Sequence, residues 1–217
     1  MSQSALAFPQ PLWKKYQPAT IEDFVGLEKP RKVLQRFAAN PYPAAWIFSG
    51  ESGLGKTTMA LALCSAVAGE LHHIPSQECT VENVKRVTDQ CHYYPRMVQD
   101  GTPGRFHFVL VDEAHKMSAA AHLAFLSKLD STAFPPNTIF VFTCNSVAEF
   151  GDTFMSRCLH LPFSSKGMAP EISRLLANVW RQETDSEEVP DFDRIAKDAG
   201  NNARQALADL EVRLMMV

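Results

Sequence analysis

Eight consecutive residues carry the strongest chemical signal in the chain: Gly50-Glu51-Ser52-Gly53-Leu54-Gly55-Lys56-Thr57 fits the pattern G-x-x-x-x-G-K-[ST]. Loops of this kind cradle phosphate. The glycines permit positive φ and let backbone N–H groups approach anionic oxygens. The run Thr58 to Val67 reads as an Ala/Leu-rich helix, whose N-terminus adds partial positive charge. In this arrangement Lys56 reaches the β- and γ-phosphates of a nucleotide and the Thr57 hydroxyl ligates Mg²⁺, with Thr58 in the same nucleotide-binding set.

A second constellation sits downstream. The apolar run Phe106-His107-Phe108-Val109-Leu110-Val111 ends in Asp112-Glu113. A buried strand that delivers two acids at its C-terminal end suits the crevice where open α/β sheets bind ligands. Asp112 is expected to hold Mg²⁺, and Glu113 to orient and deprotonate an attacking water. The phosphate loop alone would also fit a small-molecule kinase; the two motifs together argue for hydrolysis.

These residues need elements to position them. Apolar runs at Trp46–Phe48, Phe106–Val111, Thr138–Thr143 and Leu159–Leu161 alternate with helical stretches. That alternation predicts βαβ units and a largely parallel sheet covered on both faces. After Ser164-Ser165-Lys166-Gly167 the pattern becomes wholly helical. Ile172, Leu175, Leu176, Val179 and Trp180 form one apolar stripe, Pro190 interrupts an acidic stretch, and a last helix runs from about Asn202 towards Met216. The expected fold is therefore α/β, a phosphate-loop domain over residues 1–165 followed by a small all-α lid over 166–217.

Composition is that of an ordinary globular chain: 217 residues, 46% hydrophobic, 21% charged, net charge −3. No bulk positive field advertises nucleic acid. The N-terminal stretch reads as neither a secretory leader nor a membrane span. Five cysteines without a C-x-x-C fit reduced thiols better than a disulfide framework. The expected location is cytoplasmic, or nuclear in a eukaryote, and not secreted.

Further elements then match one family in order. Phe140-Val141-Phe142-Thr143-Cys144-Asn145 resembles the sensor 1 strand of AAA+ ATPases, in which such an Asn positions the hydrolytic water. Ser156-Arg157-Cys158 resembles the Ser-Arg-Cys motif of DNA polymerase clamp loaders, bacterial polymerase III γ/τ and replication factor C small subunits, whose Arg is donated to the neighbouring subunit's nucleotide. Trp13-Lys14-Lys15-Tyr16-Gln17-Pro18 and Asp23-Phe24-Val25-Gly26 resemble the N-terminal signature that borders the adenine, which implies nucleotide contacts from Tyr16, Val25 and Gly26. Tyr94-Pro95 and Gly104-Arg105-Phe106 resemble the segment leading into the bacterial Walker B strand. Gly200-Asn201-Asn202-Ala203-Arg204-Gln205-Ala206-Leu207 is similar to the sensor 2 helix start, which implies that Arg204 meets the γ-phosphate in cis.

The resemblance implies an Mg²⁺-dependent ATP hydrolase with catalytic residues Glu113, Asn145, Arg157 and Arg204. It also implies a homo- or hetero-oligomer of AAA+ subunits that remodels or loads a protein, such as a sliding clamp, on DNA. By the same analogy the helix after Thr80 would offer Lys85 and Arg86 to DNA phosphates. The match has gaps. The helical collar domain of such subunits has no counterpart here, which leaves a truncated chain or a compact relative with another assembly partner. The family's cysteine zinc module is not matched either: Cys64, His72, His73, Cys79, Cys91 and His92 lack paired short steps, and read as buried thiols and solvated histidines. Two other readings stay open, a helicase-loader or transposition-type ATPase of a DNA element and a regulatory ATP-binding assembly subunit.

Overall fold

The computed structural model describes residues 9–96, 98 and 101–216. Residues 1–8, read above for a leader, and Val217 lie outside the described residues. In chain order the elements are α1 (Leu12–Lys15), α2 (Glu28–Ala39), β1 (Ala44–Ser49), α3 (Lys56–Ala66), β2 (Gly69–Pro75), α4 (Val81–Gln90), β3 (Phe106–Asp112), α5 (Ala119–Lys128), β4 (Thr138–Cys144), α6 (Asp152–Met155), β5 (Leu159–Pro162), α7 (Ala169–Glu183), α8 (Phe192–Asp198) and α9 (Ala203–Leu214).

The strands form one parallel sheet in the order β2-β3-β4-β1-β5. β1 and β4 are buried along their whole length and β3 along all but its last residue. Helices cover both faces of such strands, so they read as unbroken apolar runs. β2 is different. It is the edge strand Gly-Glu-Leu-His-His-Ile-Pro, with buried and exposed positions mixed, and its polar residues concealed it in the sequence. Aromatic rings fill one side of the sheet. Phe125 of α5 and Phe154 of α6 each set an edge against Phe142, with centroids 5.1 Å apart.

Local sequence sets the helix starts. Thr80 accepts from the Asn83 N–H to begin α4, and Ser118 does the same for α5 through the Ala121 N–H. In α9, Asn202 accepts from the N–H groups of both Arg204 and Gln205. The α7 stripe is buried at Ile172, Leu176, Val179 and Trp180.

Contacts divide the described residues into an α/β unit, Pro18–Ser164, and a helical unit that combines those from Ser165 onward with residues 9–17. The sequence places residues 1–165 together, and the described residues 9–17 depart from that. α1 packs on α9, with Leu12 buried and its N–H donating to Glu211 Oε2 at 3.2 Å. Lys15 Nζ lies 2.7 Å from Glu183 Oε1. These contacts hold the segment to the helices that close the chain. No helix among the described residues is long and apolar enough to cross a membrane.

Candidate nucleotide site

The phosphate loop leaves the C-terminal end of β1, between the ends of β4 and β5. Both neighbours anchor it. The Gly50 N–H donates to the Cys144 carbonyl at 3.2 Å, and the Phe163 N–H to the Ser49 carbonyl at 2.7 Å. Gly50 has φ +143°, and a Cβ there would lie 2.3 Å from the Phe163 carbonyl oxygen, so this position admits glycine alone. Gly55 sits at φ +79° as the N-cap of α3, whose first turn closes through Met59 N–H to Gly55 O at 2.8 Å.

Lys56 is buried at the base of the loop. Its Nζ donates to the Gly50 and Glu51 carbonyls, each at 2.8 Å, and reaches Asn145 Oδ1 at 3.3 Å. The ammonium therefore lies among oxygen acceptors of the loop itself, and Asn145 is brought to it from the end of β4.

Asp112 ends β3. Its Oδ1 accepts from Thr57 Oγ1 at 2.7 Å, which joins the loop to the second strand. It also accepts from the Thr143 hydroxyl. Thr143, only 2% exposed on β4, accepts in turn from the Glu113 N–H at 3.1 Å. One buried hydroxyl thus fixes the orientation of both acidic positions. Sequence reasoning passed over Thr143, although a threonine near the end of the run Thr-Ile-Phe-Val-Phe-Thr-Cys was the available signal. A hydroxyl beside a carboxylate is a donor set of hard oxygens, and it fits Mg²⁺.

Glu113 follows with φ +51°, in the left-handed region. Its carboxylate is half-exposed and takes a 2.8 Å bond from Lys116 Nζ. Such a backbone geometry for a side-chain-bearing residue costs roughly 1–3 kcal/mol and is frequent at functional positions.

Asp23-Phe24-Val25-Gly26 belongs to the same unit. Phe24 is buried, and its ring edge lies 3.0 Å from where a Gly55 Cβ would be, so the segment that carries Val25 and Gly26 meets the loop through Phe24. Gly26 and Leu27 both have positive φ, turning the chain into α2. Arg157 follows α6 and is partly buried. Its guanidinium donates to the Thr153 carbonyl at 2.8 Å and to Asp130 Oδ2 at 3.3 Å. Asp130 is held below the usual carboxylate range, first by hydrogen bonds from Thr132 and then by Arg157. Lys85 and Arg86 are exposed on α4.

Tyr16 and Arg204 are part of the helical unit. The Tyr16 hydroxyl donates to Glu183 and reaches Gln182 Oε1 at 3.1 Å. Desolvation, followed by the Glu183 hydrogen bond and charge, pushes its pKa up to about 12. The Arg204 guanidinium lies 5.5 Å from the Trp13 ring centroid. Cys144 and Cys158 flank site residues, but burial pushes their thiols up to about 11 and about 12, which removes them as nucleophiles near neutral pH.

The family described as "ATPase family associated with various cellular activities (AAA)" matches residues 46–164, the stretch from β1 to the end of the α/β unit. Among curated proteins, the replication factor C small subunit of Natronomonas pharaonis is 28% identical over 211 residues, covering 94% of this chain and 63% of that protein. Replication factor C subunit 2 of Arabidopsis thaliana is 28% identical over 208 residues, covering 94% and 61%. DNA polymerase III subunit gamma of Buchnera aphidicola is 24% identical over 232 residues, covering 94% and 60%. The chain thus spans about three-fifths of the length of these relatives. Among solved structures, a Thermotoga maritima RuvB variant superposes with a TM-score of 0.72 at 16% identity, over 93% of this chain and 72% of that one. That likeness concerns the fold. With more than half its length matched and a phosphate loop, an acidic strand end and Asn145 gathered at one edge of a parallel sheet, this chain belongs to the AAA family of ATPases.

Proposed function

We propose that the protein is a clamp-loader-like ATPase, which binds ATP with Mg²⁺ in the loop Gly50–Thr58 and uses hydrolysis to remodel or load a protein on DNA. The observation that carries the chemistry is the bridge from Thr57 Oγ1 to Asp112 Oδ1, 2.7 Å, with Lys56 and Asn145 alongside. These groups come from three chain segments and converge at the C-terminal ends of β1, β3 and β4, where such sheets take ligands.

In this reading Thr57 and Asp112 hold the metal, which neutralises charge on the β- and γ-phosphates when bound. Lys56 exchanges its bonds to the Gly50 and Glu51 carbonyls for phosphate oxygens. Glu113 leaves Lys116 and accepts the proton of the attacking water, while Asn145 orients that water. Val25 and Gly26 border the base. Tyr16 contributes a further nucleotide contact, and Arg204 a cation to the γ-phosphate in cis.

Arg157 is the residue proposed to act on a neighbouring subunit's nucleotide. A guanidinium is always charged and spreads over developing phosphate charge. The pair with Asp130 then acts as a holding position, exchanged for phosphate when a second chain docks. Oligomerisation with like subunits follows from this role, and DNA with a DNA-bound protein such as a sliding clamp is the proposed substrate assembly. The relatives' names, replication factor C and DNA polymerase III gamma, favour that reading over a helicase-loader or purely regulatory role. Lys85 and Arg86 are the proposed phosphate contacts on α4, giving affinity without base reading.

The test is native mass measurement with a non-hydrolysable ATP analogue, with and without primed DNA, alongside ATP turnover. Analogue-dependent assembly and DNA-stimulated turnover support the proposal. A chain that stays monomeric and hydrolyses ATP at one rate regardless of DNA contradicts it.

A further inference from the structure

A second cluster of metal-binding side chains sits away from the nucleotide site, at the edge of the sheet. β2 and β3 run parallel with Glu70 opposite His107, so Glu70, His72 and His107 share one face. Cys91, the fully buried residue that ends α4, packs on that face. One donor atom from each of His72, Cys91 and His107 lies within 4.8 Å of the other two.

We propose that His72, Cys91 and His107 form a zinc site, with Glu70 or a water molecule at the fourth position. His72 Nε2 and His107 Nδ1 stand 3.0 Å apart, against about 3.3 Å for two imidazole nitrogens on a tetrahedral zinc. The donor atoms all lie within 4.8 Å of one another, so bringing the sulfur to about 3.6 Å from each nitrogen, the spacing such a tetrahedron requires, is a contraction of about an ångström at most.

The surroundings support ligation. His107 is 2% exposed, and its Nε2 lies 2.9 Å from the Tyr93 carbonyl, which can only accept. Nε2 therefore carries the hydrogen, and in the neutral ring the lone pair is on Nδ1, facing the cluster. A backbone carbonyl fixing the far nitrogen is the usual outer support of a metal-bound histidine. Glu70 Oε2, anchored by a 2.8 Å bond from the Arg96 N–H, lies 3.4 Å from that same Nδ1. Without an ion His72 Nε2 donates its hydrogen to that lone pair, and a bound cation would take the place of this proton between the two nitrogens, with the Glu70 carboxylate alongside. A cavity of about 260 Å³ lined by Glu70, His72, His107 and Arg96 gives an entry path. Two imidazoles and a thiolate form a borderline-soft set, which suits zinc and not the oxygen-seeking Mg²⁺ or Ca²⁺.

The ligands come from β2, the end of α4 and the start of β3, so the ion ties α4 to the edge of the sheet. β3 is the strand whose far end carries Asp112, and the site is a structural staple for it. Linear spacing concealed the set, because the second histidine lies on β3, beyond the thiol- and histidine-bearing stretch that the sequence reading considered.

The experiment uses the full chain, stripped with chelator and titrated with Zn²⁺ and, separately, Co²⁺. The proposal expects one ion per chain, a thiolate-to-cobalt charge-transfer band with intense visible bands of a tetrahedral centre, and a Tm rise of about 5–10 °C at a hundredfold excess of zinc over its Kd. Cys91→Ser should abolish the charge-transfer band. His72→Ala, at a half-buried position on the edge strand, should weaken affinity by at least ~100-fold and remove the Tm rise. Sub-stoichiometric binding, a cobalt spectrum unchanged by Cys91→Ser, or a Tm rise that survives His72→Ala overturns the zinc site and leaves a histidine–carboxylate cluster that shares protons.

Discussion

Replacing Thr143 by valine separates the role of one buried hydroxyl from the shape of the strand that carries it. The side chains are nearly isosteric, yet Thr143 donates to Asp112 and accepts from the Glu113 N–H. Losing a hydrogen bond to a carboxylate costs about 1.5–3 kcal/mol, and leaving the Glu113 N–H without its acceptor adds about 1 kcal/mol. The valine methyl, at a position 2% exposed, returns about 0.8 kcal/mol. The net destabilisation is about 2–3 kcal/mol, which corresponds to a Tm lower by roughly 4–12 °C for a chain of this size. Turnover should fall by about tenfold or more, because Asp112 loses the contact that aims it at Thr57. Thr143→Ser keeps the hydroxyl and should restore most of the activity while losing a little packing. The assays are thermal melting and steady-state ATP hydrolysis. A Thr143→Val chain that melts and turns over like the parent would refute the orienting role, and so would an equal loss of activity in Thr143→Ser.

Lys56→Ala removes the cation that the loop carbonyls and Asn145 surround; nucleotide binding, read by fluorescence of a labelled ATP analogue, should weaken sharply or turnover should vanish. Glu113→Gln keeps shape but cannot take a proton, so ATP should still bind while single-turnover hydrolysis drops by at least ~100-fold. In the helical unit, Tyr16 is raised to about 12 from 10.0, so its contribution to stability is complete below pH 10 and is lost as pH rises towards 12. Glu183 is held below 4.5 by Lys15 and then Tyr16, so its contribution is complete above that value and lost as pH falls further. The Tm difference between the parent and Tyr16→Phe should therefore be flat from about pH 6 to 9 and close at the alkaline end.

The features legible in the sequence are those with strong one-dimensional signatures. The loop Gly50–Thr57 is continuous, and β1, β3 and β4 are buried on both faces, so their apolar runs stood out. The helical stripe through Ile172 and Trp180 carried its own period. Less legible was whatever depends on pairing across the chain. β2 lies at the sheet edge with mixed polarity, and its partner β3 decides its existence. Residues 9–17 carry too little apolar surface to announce a destination, and the contacts of Leu12 with Glu211 and Lys15 with Glu183 place them with the C-terminal helices. Thr143 matters through two hydrogen bonds to residues about thirty positions away, a relation invisible to local spacing. The pairing of Arg157 with Asp130 was not readable, since β4 and α6 separate the two in the chain.

We propose that each ATP is hydrolysed at a site whose last cation comes from a neighbouring chain. The most direct test is steady-state turnover of an equimolar mixture of Glu113→Gln and Arg157→Ala chains, with co-assembly verified by native mass measurement. Each variant alone should bind ATP yet turn over slowly, the Arg157→Ala chain by a loss of ~10³-fold. In the mixture, roughly a quarter of head-to-tail interfaces pair an intact Glu113 with an intact Arg157, so activity should recover to that order of the parent's rate. A co-assembled mixture no faster than the two variants measured separately would contradict the claim and return Arg157 to its pair with Asp130.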